Sequence, residues 1–385
     1  MLNFDFYNPT RIIFGQGRIA DLHKRIPDDA RVLVLYGGGS VKTTGTLAEV
    51  LSYLGERVVV EFGGIEANPT YETLMRAVDL AKQQQIDFLL AVGGGSVIDG
   101  TKFVAAAVNY DGDSKDILTS RGLKIKEALP LGVVLTLSAT GSEMNNGGVV
   151  TQTASQTKSA FFSEKLFPVF AILDPTKTYT LAPRQIANGV VDAFVHVMEQ
   201  YLTYPVDGMV QDRFAEGLLQ TLIDIGPKAL ANPEDYQLRA NLMWVATMAL
   251  NGLIGAGVPQ DWSTHMIGHE LTALYHLDHA RTLAIVLPAM LTVRKEAKRD
   301  KLLQYAARVW QIDTGTDDEK IDQAITATRQ FFESVGVETS LSAHGLGVEA
   351  IDAILLQLHT HKMTALGERR EVTLAVSRDV LTHCL

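Results

Sequence analysis

The sequence predicts two domains of different class: an α/β domain built on a parallel sheet over residues 1–180, then an all-helical domain over residues 181–385. Three observations lead there. At 385 residues the chain exceeds what one hydrophobic core organises. Up to about residue 174, short β-branched runs alternate with helical patterns. Beyond Pro183 those runs disappear and apolar residues recur with the helical period.

In the first half, RVLVLY (31–36) is a continuous apolar run of strand length, followed by Gly37-Gly38-Gly39-Ser40 and a helical stretch to about Leu54. RVVVEF (57–62) is a second strand, closed by Gly63-Gly64. Asn68-Pro69-Thr70 caps a helix through the 70s, with Glu72 in its first turn. DFLLAV (87–92) is a third strand and runs into Gly93-Gly94-Gly95-Ser96 and an Ala-rich helix. LGVVLTL (131–137) and VFAILD (169–174) complete the set. Strand, glycine turn and helix in repetition imply a parallel sheet with helices on both faces, a Rossmann-like arrangement.

In the second half, Pro183 suits the first turn of a helix. Residues 184–202, 212–226 and 239–255 have helical period and length. The stretch Arg294 to Lys301 carries charge of both signs and is expected to be a solvated helix face.

Composition narrows the function. A net charge of −10 excludes nucleic acid as a partner, because phosphate binding needs a basic surface. No run of eighteen apolar residues suggests a membrane span, and the N-terminus lacks a secretory pattern. Cys384 is the single cysteine, so no internal disulfide is expected. A cytoplasmic location is the expectation.

Two glycine loops after two strands offer backbone N–H groups to a phosphate, with a helix N-terminus behind each. A tight strand–helix turn that binds nothing is the plainer alternative, and two loops at equivalent places weaken it. Neither loop fits G-x-G-x-x-G. The acidic-residue rule that would put Glu61 on a ribose 2′-hydroxyl and imply NAD therefore does not transfer. Gly37, Gly38, Ser40 and Lys42 offer room, donors and positive charge, which suits a 2′-phosphate and NADP(H). Thr136 to Glu143 brings hydroxyls just past a strand end, for a pyrophosphate, for the nicotinamide amide or for capping a helix.

Four of the ten histidines, His265, His269, His276 and His279, fall within fifteen residues. His265 and His269 share a helix face by their spacing, while Asp278, beside His276 and His279, suggests that the helix is ending there. Asp192 and His196 are four apart on an otherwise apolar helix, where unpaired polar groups cost several kcal/mol. A plain Asp–His hydrogen bond would also satisfy them. With His265 and His279 they make a carboxylate–imidazole set suited to Zn²⁺ or Fe²⁺. His269, one turn from His265, is then a proton shuttle near the metal.

On Gly93-Gly94-Gly95-Ser96 with Asp99 and Lys102, on Thr140 to Glu143, on Asp192-x-x-x-His196 and on the histidine stretch, the chain resembles the iron-containing (group III) alcohol dehydrogenases. Within them it is similar to the NADPH-dependent butanol dehydrogenase and aldehyde reductase branch, over essentially its whole length. The resemblance implies metal ligands at Asp192, His196, His265 and His279, with His269 near the reacting centre. It implies dinucleotide contacts at Gly37, Gly38, Ser40, Gly94, Gly95, Ser96, Asp99, Thr136, Thr140 and Ser142, with Lys158 near the cofactor. A glycine at position 38 looks like the NADP-using form. This chain has Asp278-His279-Ala280 where many members have Pro-His-Gly, which keeps His276 as the alternative last ligand.

The implied reaction is reversible hydride transfer between NADP(H) and a small to medium aliphatic aldehyde or alcohol, with a divalent metal as Lewis acid. Leu253, Ile254 and Trp262 are expected near the substrate, and a homodimer is expected by resemblance. A dehydroquinate-synthase-like lyase would call for several basic residues in the metal-bearing segments, and none lies between Arg239 and Arg281. A metal-dependent hydrolase is weakened by the lack of an H-E-x-x-H helix.

Overall fold

The apolar runs assemble as the period-2 rule requires, with successive side chains going to opposite faces. The computed structural model describes all 385 residues, which divide into two units by their internal contacts. The sheet unit is Tyr7–Leu181 with Pro233–Thr247; the helical unit is Met1–Phe6, Ala182–Asn232 and Met248–Leu385. Relative to the division at 180/181 expected from sequence, a short N-terminal segment and most of one helix exchange units.

The sheet unit holds β1 (Arg11–Phe14), β2 (Arg31–Tyr36), β3 (Val58–Phe62), β4 (Phe88–Gly93), β5 (Leu131–Leu135), β6 (Gly147–Gln152), β7 (Thr157–Phe162) and β8 (Phe170–Leu173). Its helices are α1 (Ser40–Thr43), α2 (Thr46–Leu54), α3 (Tyr71–Gln83), α4 (Gly95–Val108) and α5 (Lys115–Thr119). Six strands pair in parallel in the order β1-β8-β5-β4-β2-β3. Leu33, Leu35, Leu89, Ala91, Val133 and Leu173 bury in the core shared with α3 and α4. Val32, Val34, Leu90, Val92, Val134 and Ile172 bury in the opposite core, with α2 and the short helix at residues 18–24. From β2 the chain goes to β3 on one side and β4 on the other, so the order reverses between β2 and β4. Open α/β sheets bind ligands beyond the carboxyl ends of their strands at such a point.

Four features differ from the sequence reading here. The edge strand β1 and the antiparallel ribbon β6–β7 were not anticipated. The helical stretch after β2 breaks at Gly45, whose φ of 77° separates α1 from α2. β5 stops at Leu135.

The helical unit is built from α6 (Pro183–Tyr201), α7 (Met209–Ala231), the last two residues of α8 (Tyr236–Ala249), α9 (Ser263–Tyr275), α10 (His279–Val293), α11 (Arg299–Arg308), α12 (Asp317–Ser334), α13 (Val348–Thr360) and α14 (Leu374–Thr382). One two-residue ribbon, β9 (Ala365–Leu366) with β10 (Val372–Thr373), interrupts the otherwise helical class. The helix expected over 239–255 ends at Ala249. The charged stretch 294–301 is not a solvated face throughout: Lys298 and Lys301 are buried, and Lys298 Nζ lies 2.8 Å from Asp261 Oδ2.

Candidate metal centre and nucleotide-binding loops

In the helical unit, α6 begins at Pro183 and is buried over almost its whole second half. Asp192 and His196, one turn apart, therefore enter the interior together. The α9 helix contributes His265 and His269, both buried, and ends at His276 in the left-handed region, with φ of 56°. Three residues later α10 starts at His279, behind Asp278. Asp278 accepts hydrogen bonds from Arg184 Nε at 2.6 Å and Asn188 Nδ2 at 2.8 Å, which ties this corner to α6. The break between the two helices lets His279 turn inward while His276 stays exposed.

One ligand atom each from Asp192, His265 and His279 lies within 4.8 Å of the others. His279 Nε2 is 3.7 Å and His196 Nε2 3.8 Å from Asp192 Oδ1. The His196 and His265 rings stack with centroids 4.8 Å apart, and His265 and His279 are 5.1 Å apart. The His269 ring is 5.1 Å from that of His279 and 6.1 Å from that of His265. Asp192 Oδ1 is buried and accepts no hydrogen bond. Its nearest nitrogens sit beyond hydrogen-bond range. Donors about 3.4 Å apart are what bonds of about 2.1 Å in a tetrahedral site require, so a cation can replace the missing contacts with small side-chain shifts. These residues fit a divalent metal with oxygen and nitrogen ligands. His276 takes no part in the cluster.

Trp262 lies beside it, with its indole 5.2 Å from the His265 ring. Sequence reasoning missed Glu199, which is buried and hydrogen-bonded to His265 Nδ1. Burial, with Asp261 nearby, pushes the Glu199 pKa up, against the Thr264 and His265 backbone N–H groups, which favour its anion. The partners are 66 residues apart, and only a Glu one turn beyond His196 on the same helix hinted at it.

In the sheet unit the two glycine loops follow β2 and β4, which are neighbours paired at Tyr36 and Val92. The 136–142 segment follows β5, paired to β4 at Leu135 and Gly93. Gly37, Gly38, Ser40, Gly94, Gly95, Ser96, Thr136 and Thr140 thus gather at the carboxyl ends of three adjacent strands. Three of the loop glycines have reasons of their own. Gly39 has φ of 107°. A Cβ on Gly94 would stand 3.0 Å from Leu137, and one on Gly95 would collide with the Thr140 side chain. Gly38 needs neither freedom, since a Cβ there would meet nothing within 4 Å. Beside it Lys42 Nζ lies 3.7 Å from Glu61 Oε2, which also accepts the Tyr36 hydroxyl at 3.1 Å. Those partners raise the Lys42 pKa, Tyr36 first.

Asp99 and Ser142, both expected as dinucleotide contacts, are committed within the chain. Ser142 Oγ donates to Asp99 Oδ1 at 2.6 Å, and Val149 N donates to Asp99 Oδ2 at 2.9 Å. Lys102, fully buried in α4, donates to Ser142 Oγ at 3.0 Å, Asn145 Oδ1 at 2.8 Å and Gly147 O at 2.7 Å. Burial pushes the Lys102 pKa down to about 8 and raises that of Asp99. Lys158, on β7, donates to Asn68 Oδ1 at 2.8 Å, and Asn68 N donates to Ser96 Oγ at 3.3 Å. The lysine therefore reaches the second glycine loop through Asn68.

A parallel-sheet unit with paired glycine loops and a helical unit with a carboxylate–imidazole cluster suit a metal- and dinucleotide-dependent enzyme. The chain belongs to the iron-containing alcohol dehydrogenase family: the family's model matches residues 9–175, and that of its C-terminal domain matches residues 186–374. It is 62% identical over 382 residues to the NADPH-dependent aldehyde reductase YqhD of Escherichia coli (strain K12), covering 99% of both chains. It is 43% identical over 361 residues to the NADP-dependent alcohol dehydrogenase 3 of Entamoeba histolytica, covering 92% of each. The crystal structure of NADH-dependent butanol dehydrogenase A from Thermotoga maritima matches with a TM-score of 0.94 at 35% identity, covering 100% of this chain and 99% of that one.

Proposed function

We propose that the chain is a metal-dependent aldehyde reductase and alcohol dehydrogenase that uses NADP(H) and takes small to medium aliphatic aldehydes and alcohols. The observation that carries this is the convergence of Asp192, His265 and His279 within 4.8 Å, around an Asp192 oxygen that accepts no hydrogen bond. Asp192, His196, His265 and His279 would hold Zn²⁺ or Fe²⁺. When bound, such an ion supplies Lewis-acid polarisation of a carbonyl, and NADPH supplies the hydride.

The chain's own residues do the rest. Asp192 lowers the local positive charge, and His269, buried beside His279, delivers the proton to the substrate oxygen as it gains negative charge. Gly94 and Gly95 stand at the N-terminus of α4, whose N–H groups and dipole would favour the negative charge of a pyrophosphate. Gly37, Ser40, Ser96, Thr136 and Thr140 line the same strand ends. Asp99, Ser142 and Lys158 shape those loops through the bonds described above. The open space at Gly38, with Lys42 beside it, supports a 2′-phosphate; an acidic residue there would repel it. The relative at 62% identity is named for NADPH, whereas the structural relative named for NADH is at 35%. The reading includes a homodimer in the cytoplasm, which sedimentation and cell fractionation would check.

The test is the NADPH absorbance band, followed with a short aliphatic aldehyde before and after chelation and with Zn²⁺ or Fe²⁺ restored. Oxidation of NADPH that chelation abolishes and metal restores is expected. Preference for NADH would overturn the reading of Gly38, and no turnover of either nicotinamide by metal-loaded protein would overturn the reductase.

A further inference from the structure

Glu199 occupies a place that neither ordinary capping nor core packing explains. It lies on α6, one turn beyond His196 and two beyond Asp192, so all three project from one helix face. Trp262, the N-cap residue of α9, offers no side-chain cap to the helix that carries His265. The Glu199 carboxylate supplies it from α6 instead. Oε1 accepts the backbone N–H of Thr264 at 2.7 Å and of His265 at 3.3 Å, the second and third residues of α9. Oε2 is hydrogen-bonded to Nδ1 of the same His265. The backbone of Glu199 is held too, its carbonyl accepting Asp261 N at 2.8 Å.

We propose that Glu199 is a positioning residue of the metal centre: one carboxylate caps α9 and fixes the tautomer and ring plane of His265. This rests on the functional reading above. A carboxylate that accepts the Nδ1 proton leaves a ligand role to Nε2 and raises that nitrogen's basicity, the usual work of an outer partner of a metal-bound histidine. The positive end of the α9 dipole favours the anion at the same point.

The two duties separate in one variant. In Glu199→Gln the amide oxygen can still accept the backbone N–H groups, but the amide group facing Nδ1 is a donor. The cap survives and the imidazole loses its acceptor. Zn²⁺ affinity, measured by competition with a chromogenic chelator, is expected to fall 10–100-fold in Glu199→Gln, with the metal-free melting temperature close to wild type. Glu199→Ala is expected to lose both affinity and melting temperature. Folded Glu199→Gln with wild-type Zn²⁺ affinity would overturn the proposal while leaving the proposed function intact. Wild-type protein that takes up no Zn²⁺ would overturn both. Where Glu199→Gln does not fold, ¹⁵N-histidine NMR of the Zn²⁺-loaded wild type decides. A proton on Nδ1 of His265 with the metal on Nε2 supports the positioning role, and the metal on Nδ1 overturns it.

Discussion

Two buried polar clusters, one in each unit, differ in how they are satisfied. Around Lys102, every donor of the ammonium and both oxygens of Asp99 find partners within the chain. Around Asp192, side chains of the same polarity converge, yet Oδ1 accepts no hydrogen bond and its nearest imidazole nitrogens stand 3.7 and 3.8 Å away. The first cluster is a strut that ties the β6–β7 ribbon and the 142–145 turn to α4. The second has the donor set and spacing that a divalent cation would use, and the proposed function places one there. A buried polar group that is fully bonded internally argues for architecture; one that converges with others short of contact argues for a site.

The largest effect separates the two. Asp192→Ala removes the only carboxylate among the four expected ligands, so metal content should fall to background and aldehyde reduction by about 10³-fold or more, the several kcal/mol of a Lewis acid. Elemental analysis and NADPH oxidation check this, and an unchanged metal-free unfolding midpoint is expected alongside. Lys102→Met reverses the pattern. It strands the partners of a buried cation, at about 3 kcal/mol in urea unfolding, with metal content at the wild-type level.

The same strut has a pH signature. Because the folded pKa of Lys102, about 8, lies below its ordinary 10.5, the unfolded chain holds the extra proton between those values. The contribution of this group to stability therefore rises with pH across that window, on the order of 1–3 kcal/mol. Comparing urea midpoints at the two ends of the window in wild type and Lys102→Met isolates it; an identical pH slope in both would contradict the strut.

Smaller effects fall on the glycine loops. Gly38→Asp enters open space, so stability should change by no more than about 0.5 kcal/mol. Its kcat/KM with NADPH should fall about 10–100-fold from like-charge repulsion, and much less with NADH. Lys42→Ala, exposed and shared with Glu61, should raise the KM for NADPH only a few-fold.

Much of this contrast was legible before the structure. Strands buried on both faces announce themselves as unbroken apolar runs, which is why β2, β4, β5 and β8 could be located. His265 and His269 at helical spacing, with Asp278 marking the helix break, described the α9–α10 corner. What escaped depends on partners distant in sequence. β1 has four residues and takes its identity from β8 at the sheet edge. The β6–β7 ribbon lacks a clean alternation and is held by Asp99 through Val149 N. Ser142 reads as a dinucleotide contact, and the bonds to Lys102 and Asp99 that enclose it have no local signal. Lys298 reads as a solvated charge until Asp261, and Glu368 at 3.1 Å, surround it. Glu199 has no local signal beyond its helical phase.

The most direct measurement is X-ray absorption at the zinc edge of Zn²⁺-loaded protein. Four oxygen or nitrogen donors at about 2.0–2.1 Å, with scattering from three imidazole rings, is the predicted result. An all-oxygen shell, or one with no more than a single imidazole, would contradict the Asp192–His196–His265–His279 centre on which the functional account stands.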